Sequence, residues 1–166
     1  MKVHYTMFNS PIGKLYTAKT AKGFRFLCLN RKEWEKRLKD LKEDTNVELH
    51  KNDAAFLPLK KALKKYFSGA EMNFSFPFDL LWGTPFQRRV WNAMRKIPYG
   101  QTRSYKWLAQ RVGNSRKARA AGQACGSNPL PILIPCHRVI RSDGGLGGFG
   151  GGLHIKRKLL KLESEK

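Results

Sequence analysis

Ser104-Tyr105-Lys106-Trp107-Leu108-Ala109-Gln110-Arg111-Val112-Gly113-Asn114-Ser115-Arg116-Lys117-Ala118-Arg119-Ala120-Ala121-Gly122 is the stretch that decides the fold. Ser104 suits the cap of a short helix carrying Trp107, Leu108 and Val112 on its apolar side. Gly113-Asn114 reads as a turn, and Ser115 as the cap of a further helix reaching about Cys125. A short helix, a tight glycine-containing turn and a second helix form the pattern of a helix-turn-helix. The small residues Ala118, Ala120, Ala121 and Gly122 let the second helix approach a nucleic acid closely. Its arginines, Arg119 among them, suit phosphates or base edges.

Upstream, Thr84-Pro85 predicts another helix, with threonine as cap and proline at the first helical position. Its apolar face is Phe86, Val90, Trp91 and Met94, and Pro98-Tyr99-Gly100 ends it. The first eighty residues have a different texture. Segments 3–8, 14–18 and 24–29 are β-rich and separated by Gly- and Pro-bearing turns, which predicts a three-stranded sheet. Asn30 would cap a helix from Arg31 to about Leu41, and Asp53 a second one with Phe56, Leu59, Leu63 and Phe67 on one stripe. Segment 74–82 reads as an aromatic linker that packs. The expectation is two domains, 1–80 and 81–166: an α/β unit followed by a mostly helical one.

The formal charge is +21, and between Leu80 and Leu162 sixteen Lys/Arg face one acid, Asp143. Such an excess favours a polyanionic partner. The basic residues are interspersed with apolar helix positions and do not flank a membrane anchor, so nucleic acid is preferred over a lipid surface.

Downstream of the helix-turn-helix, Ile132-Leu133-Ile134 leads into Pro135-Cys136-His137-Arg138 and then Val139-Ile140. This predicts a cysteine and a histidine where a buried strand ends. A thiol becomes a strong nucleophile as thiolate, and a nearby base or cation lowers its pKa. Strand neighbours point to opposite faces, so His137 would have to reach Cys136 through a water. It would also need a carboxylate to hold its tautomer, for which Asp143 and Glu163 both stand as candidates.

Other chemistries fit poorly. Cys28, Cys125 and Cys136 are odd in number and widely spaced, which argues against a disulfide framework and a structural zinc site; no metal and no cofactor are expected. The thiols suit a reducing compartment, and with no signal-like or membrane-spanning run a cytoplasmic protein is expected. Gly145, Gly147 and Gly150 satisfy G-x-G-x-x-G. Only fourteen residues follow Gly152, too few for the rest of a dinucleotide-binding unit, so the glycines are read as a structured loop.

Ile134-Pro135-Cys136-His137-Arg138-Val139 resembles the active-site motif of the O6-alkylguanine-DNA alkyltransferases, the methylated-DNA–protein-cysteine methyltransferases. The resemblance runs from about Thr84 to Glu163. It includes Thr84-Pro85-Phe86, Tyr99-Gly100, Ser104-Tyr105, Ala118-Arg119-Ala120, Asn128-Pro129, Pro131-Ile132-Leu133, Gly151-Gly152-Leu153 and Leu159-Leu160. It implies a ribonuclease-H-like N-terminal domain and a winged-helix-like C-terminal domain. It further implies a single-use repair protein, monomeric and without cofactor, that takes an alkyl group from O6-alkylguanine in double-stranded DNA onto Cys136; O4-alkylthymine stays open as a second substrate. In that family the recognition helix works from the minor groove, and the damaged base is flipped out of the stack.

Residue by residue, the resemblance implies that Glu163 orients His137 and that His137 deprotonates Cys136 through a water. Asn128 ties the recognition helix to the site, and Tyr105 donates to the guanine. Arg119 fills the vacated stack, with Ser104, Ala118, Ala120, Ala121 and Gly122 at the DNA surface. Pro131, the Val139 carbonyl, Phe149, Gly150 and Gly151 line the base pocket. Two departures stand out. Phe149-Gly150 replaces the Tyr-Ser pair of many members, removing a hydroxyl and a side-chain donor. His4 and Cys28 do not reproduce the N-terminal zinc site that some members have. The competing readings are a non-catalytic damage sensor or helix-turn-helix regulator and, more remotely, a Cys-His hydrolase.

Overall fold

The computed structural model describes residues 1–113 and 115–165, with the backbone alone for Ser115. The chain forms two compact units, Met1–Asp79 and Leu80–Lys166.

In the first unit, strands β1 (Lys2–Ser10), β2 (Gly13–Thr20) and β3 (Gly23–Cys28) form an antiparallel meander. A fourth strand, β4 (Glu48–Lys51), pairs parallel with β1 and gives the order β3-β2-β1-β4. The expected sheet was one strand short because Glu-Leu-His-Lys has a single apolar residue and no legible alternation. Pairing with β1 makes it a strand, not its own propensity. Helix α1 (Arg31–Glu43) begins where Asn30 Oδ1 accepts from the Glu33 amide at 2.8 Å. It buries Trp34 and Leu41 against Val3, Tyr16, Ala18, Phe26 and Cys28. Burial pushes the Cys28 thiol up to about 12, as befits an inert core residue.

Helix α2 (Leu57–Phe67) follows one 3-10 turn, Ala54–Phe56, and buries Leu59, Leu63 and Tyr66. Asp53 does not cap it: its carboxylate accepts from the Thr6 hydroxyl at 2.6 Å, and Asn52 Oδ1 takes the Ala55 amide instead. The aromatic linker packs as expected, with backbone bonds from Phe24 to Pro77 and from Asp79 to Phe24. At Gly23, φ is +135° and a Cβ would stand 2.2 Å from the Pro77 oxygen, so the linker's path requires glycine there.

The second unit is mostly helical. Helix α3 (Pro85–Arg95) starts with a reciprocal capping box between Thr84 and Gln87. Helix α4 (Tyr105–Arg111) starts where Ser104 Oγ accepts from the Trp107 amide at 2.9 Å. Helix α5 (Ala118–Gly126) is preceded by a 3-10 turn, Ser115–Lys117; the expected side-chain cap at Ser115 lies outside the described residues. The three helices pack on one another, and the buried Trp91 indole donates to the Ala124 carbonyl. Helix α6 (Leu153–Ser164) completes the unit. Among the described residues, no helix is long and apolar enough to cross a membrane.

Ile132-Leu133-Ile134 is not a strand. It forms a turn with Ile132 in the left-handed region at φ +74°, a conformation costly for a β-branched residue by about 1–2 kcal/mol. An apolar run of three cannot distinguish a buried strand from a buried turn. The two-residue strand β5 (Arg103–Ser104) pairs parallel with β6 (Val139–Ile140). This pairing brings the start of α4 alongside the segment that leaves the Cys-His pair.

Candidate active site

Backbone geometry places Cys136 first. Pro135, at φ −79° and ψ 65°, makes an inverse γ-turn in which the Cys136 amide donates to the Ile134 carbonyl at 2.7 Å. Cys136–Arg138 then form one 3-10 turn, not the end of a strand. Asn128, just past α5, closes the segment from outside. Its Nδ2 donates to the Ile134 carbonyl at 2.8 Å, and its Oδ1 accepts from the Leu130 amide at 3.0 Å. The end of α5 is thereby tied to the residues preceding Cys136.

His137 and Arg138 converge on one carboxylate. His137 Nε2 donates to Glu163 Oε2 at 2.5 Å, while Arg138 Nε donates to Glu163 Oε1 at 2.7 Å and Arg138 Nη1 to the Ile97 carbonyl at 2.8 Å. The Gly100 amide also reaches Glu163 Oε1. All three side chains are buried. Arg138 and Glu163 cancel each other's charge, so the imidazole need not be charged, and burial draws its pKa below the usual histidine value. With Nε2 committed to Glu163, the buried Nδ1 has no hydrogen-bond partner among the described residues. Asp143, the other candidate carboxylate, is instead exposed in a surface turn. It pairs with Arg141 and accepts from the Gly145 amide.

Burial pushes the Cys136 thiol up to about 11; a hydrogen bond from the Asn128 side chain and the charge of Lys156 act the other way. Lys156 is the residue that sequence reasoning missed. Fully buried in α6, it donates from Nζ to the carbonyls of Val139 (2.7 Å), Leu146 (2.5 Å) and Gly148 (3.3 Å). The glycine-rich loop is thus clasped to β6 by an ammonium group. Its signal was present: Lys156, Leu159 and Glu163 follow i, i+3, i+7 on one helix face, so two charges lie on a buried stripe.

Tyr105 stands at the head of α4, half-buried, between Gly122 and Gly147. Cβ atoms built on those glycines would lie 3.7 Å and 2.8 Å from its ring. Burial pushes its phenol up to about 12, and the Cys125 and Cys136 sulfurs add to the shift. Of the residues expected at a DNA surface, Arg119 is exposed and Ala118, Ala120, Gly122 and Ser104 are half-exposed. Ala121 is fully buried and packs inside the unit, so it offers no surface to a ligand. Of those expected to line a base pocket, Phe149 and Gly151 are half-exposed, Gly150 is exposed and Pro131 is buried. The Val139 carbonyl accepts from Lys156. Cys125 is buried, and its thiol is pushed above the ordinary range by burial, fitting packing over chemistry.

Residues 3–80 match the family described as 6-O-methylguanine DNA methyltransferase, ribonuclease-like domain, and residues 85–165 the corresponding DNA binding domain. The chain is 39% identical over 161 residues to the constitutive methylated-DNA–protein-cysteine methyltransferase of Bacillus subtilis, covering 96% of this chain and 94% of that protein. It is 40% identical over 164 residues to the Mycobacterium tuberculosis protein of the same designation, covering 99% and 94%. Among solved structures, Mycobacterium tuberculosis OGT in complex with DNA superposes with a TM-score of 0.81 at 39% identity, covering 97% of this chain and 92% of that one.

Proposed function

The chain belongs to the 6-O-methylguanine DNA methyltransferase family, and we propose that within it Cys136 is the single-use alkyl acceptor, His137 its base and Glu163 the carboxylate that orients the base. The protein is a methylated-DNA–protein-cysteine methyltransferase that directly reverses alkylation damage in DNA. The observation that carries the residue assignment is the buried imidazole: Nε2 is fixed by Glu163, and Nδ1 is left to accept a proton.

The reaction follows from these groups. His137 Nδ1 takes the thiol proton through a water, and Glu163 with Arg138 steadies the imidazolium that forms. The Cys136 sulfur attacks the alkyl carbon on guanine O6. The S–C bond forms as the C–O bond breaks, and the departing electron pair returns to the guanine. Tyr105, whose raised pKa keeps its proton on, donates to the base and neutralises it. The thioether has no route back, so each molecule acts once.

A base inside the duplex cannot present that carbon to a buried sulfur. The base is therefore flipped, at a cost of a few kcal/mol that is smaller for a damaged, poorly paired base. Exposed Arg119 on α5 fills the gap from the minor groove, with Ala118, Ala120 and Gly122 permitting close approach. Phe149, the Val139 carbonyl and the loop clasped by Lys156 receive the base, and Phe149 stacks without supplying a hydroxyl. The ribonuclease-H-like and winged-helix-like descriptions of units 1–80 and 81–166, a monomeric state and action within the cytoplasm belong to the same proposal.

The test is incubation with duplex DNA carrying O6-methylguanine, followed by peptide mass analysis. One methyl per protein on the Cys136 peptide is expected. A methyl elsewhere, none at all, or more than one turnover per molecule would sink the assignment.

A further inference from the structure

The basic character of the chain is not confined to the unit that carries Cys136, and helices α1 and α2 of the first unit handle it differently. In α1 four acids stand among six cations, and three of those cations are paired within the helix: Arg31 with Glu35, Arg37 with Glu33 and Lys39 with Glu43, each at i,i+4 spacing. Helix α2 carries Lys60, Lys61, Lys64 and Lys65 and no acid. None of these four holds an ion pair among the described residues. Lys60 leans over the Phe8 ring, whereas Lys61, Lys64 and Lys65 are exposed on the side opposite the buried stripe of Leu59, Leu63 and Tyr66. Lys60–Lys64 and Lys61–Lys65 are like-charged i,i+4 pairs, which weaken a helix. Attraction of Lys64 and Lys65 to the helix C-terminus offsets part of this, but it reaches only the last turn and leaves Lys61 unexplained.

We infer that the exposed Lys61-Lys64-Lys65 face of α2 is a second, sequence-independent binding surface for the phosphate backbone of duplex DNA. Lys61 and Lys65 stand about 6 Å apart along the helix, with Lys64 beside them. This is a compact cationic ridge facing a polymer that carries one charge per about 1.7 Å of its axis. A bilayer fits less well. A helix lying on a membrane needs a free apolar face, whereas α2 spends Leu59, Leu63 and Tyr66 on the core and leaves Leu57 as its single large exposed apolar side chain among the described residues. The inference rests on DNA being the substrate. A second binding surface would raise occupancy on undamaged DNA, where a single-use protein must search.

The test uses the full chain and undamaged duplex, with binding measured by fluorescence anisotropy across a range of salt concentrations. A Lys61→Gln/Lys64→Gln/Lys65→Gln variant should bind more weakly at low salt. Its slope of log affinity against log salt should be shallower by about 0.9 for each phosphate no longer neutralised. The corresponding triple arginine variant should keep the parental slope. Alkyl transfer from an O6-alkylguanine free base, which needs no DNA, should proceed in both variants at the parental rate. An unchanged slope in the glutamine variant overturns the inference. So does an equal loss in the arginine variant, which would trace to folding and not charge. Loss of binding to phosphatidylserine vesicles with DNA binding intact would assign the face to membranes and overturn it too. The binding readings do not require transfer to Cys136, so failure of the repair assignment is visible separately, as absence of alkyl on the parent protein.

Discussion

His137 Nε2 and Glu163 Oε2 lie 2.5 Å apart across twenty-six residues of chain, with the second carboxylate oxygen held by Arg138 at 2.7 Å. One buried carboxylate thus serves two neighbouring residues of the motif, holding the His137 imidazole through one oxygen and balancing a buried guanidinium through the other. Under the proposed assignment, catalysis and stability are joined at Glu163.

Glu163→Gln separates these roles only partly. The amide oxygen can still accept one bond, but the negative charge that supports an imidazolium and neutralises Arg138 is gone. Methyl transfer from a methylated duplex should slow by about 10²-fold or more. The uncompensated Arg138 should cost about 3–5 kcal/mol in urea unfolding. Parental transfer rates would remove Glu163 from the proton path.

Stability should fall in alkali in a way that depends on Cys136. Burial raises its folded-state pKa to about 11 from an ordinary 9.0. The stabilising contribution is therefore complete below pH 9 and is lost as pH rises from 9 through 11, because only the unfolded chain ionises easily there. Over that window the group accounts for about 1.4 kcal/mol per pH unit. Cys136→Ala should flatten the decline of unfolding free energy by that amount, and an identical decline in both proteins would show that the thiol ionises normally in the fold.

Lys156→Met keeps the length of the side chain but removes the donor shared by Val139, Leu146 and Gly148. The buried Val139 carbonyl left without this donor costs about 1–3 kcal/mol, and the more exposed Leu146 and Gly148 carbonyls less. The loop over residues 144–150 should exchange its amide hydrogens faster while α3 keeps its protection. Transfer should slow by about tenfold or more, since the variant also loses the cation that favours the thiolate. Unaltered exchange in the loop would mean that its glycines hold their shape without the clasp.

Alkylation should itself destabilise the product. Cys136 is nearly enclosed, and one added methyl overpacks its surroundings by about 1–3 kcal/mol. For a chain of this size the thermal midpoint of the methylated protein should drop by several degrees. Equal midpoints would indicate a cavity already large enough for the group.

Local signals were legible wherever one short segment contained the whole physical cause. Asn30, Thr84-Pro85 and Ser104 mark helix starts because the capping acceptor and the amide it serves lie three residues apart. The meander of β1, β2 and β3 was readable for the same reason, from β-rich residues and the Gly- and Pro-bearing turns between them. Where causes were remote, the local pattern misled: β4 exists through its pairing with β1, and Asp53 abandons the helix end for Thr6, forty-seven residues away. The apolar run before Cys136 became a turn because Asn128 and the Leu130 carbonyl hold it there.

The sequence by itself determined that a Cys-His-Arg motif sits in a strongly basic stretch with the pattern of a helix-turn-helix, since those properties reside in residue type and short spacing. Residue type and spacing could not choose between Asp143 and Glu163 as partner of His137; only the family resemblance implied Glu163. Both are carboxylates, and the nearer in sequence is the one left in solvent. The sharing of Glu163 between His137 and Arg138, the clasp of Lys156 on the glycine loop and the burial of Ala121 were decided by tertiary structure alone. Helix α6 folds back along the Cys-His-Arg turn and presents two charges on its buried face. A buried charge is tolerated only where a partner satisfies it, and only the folded chain supplies those partners.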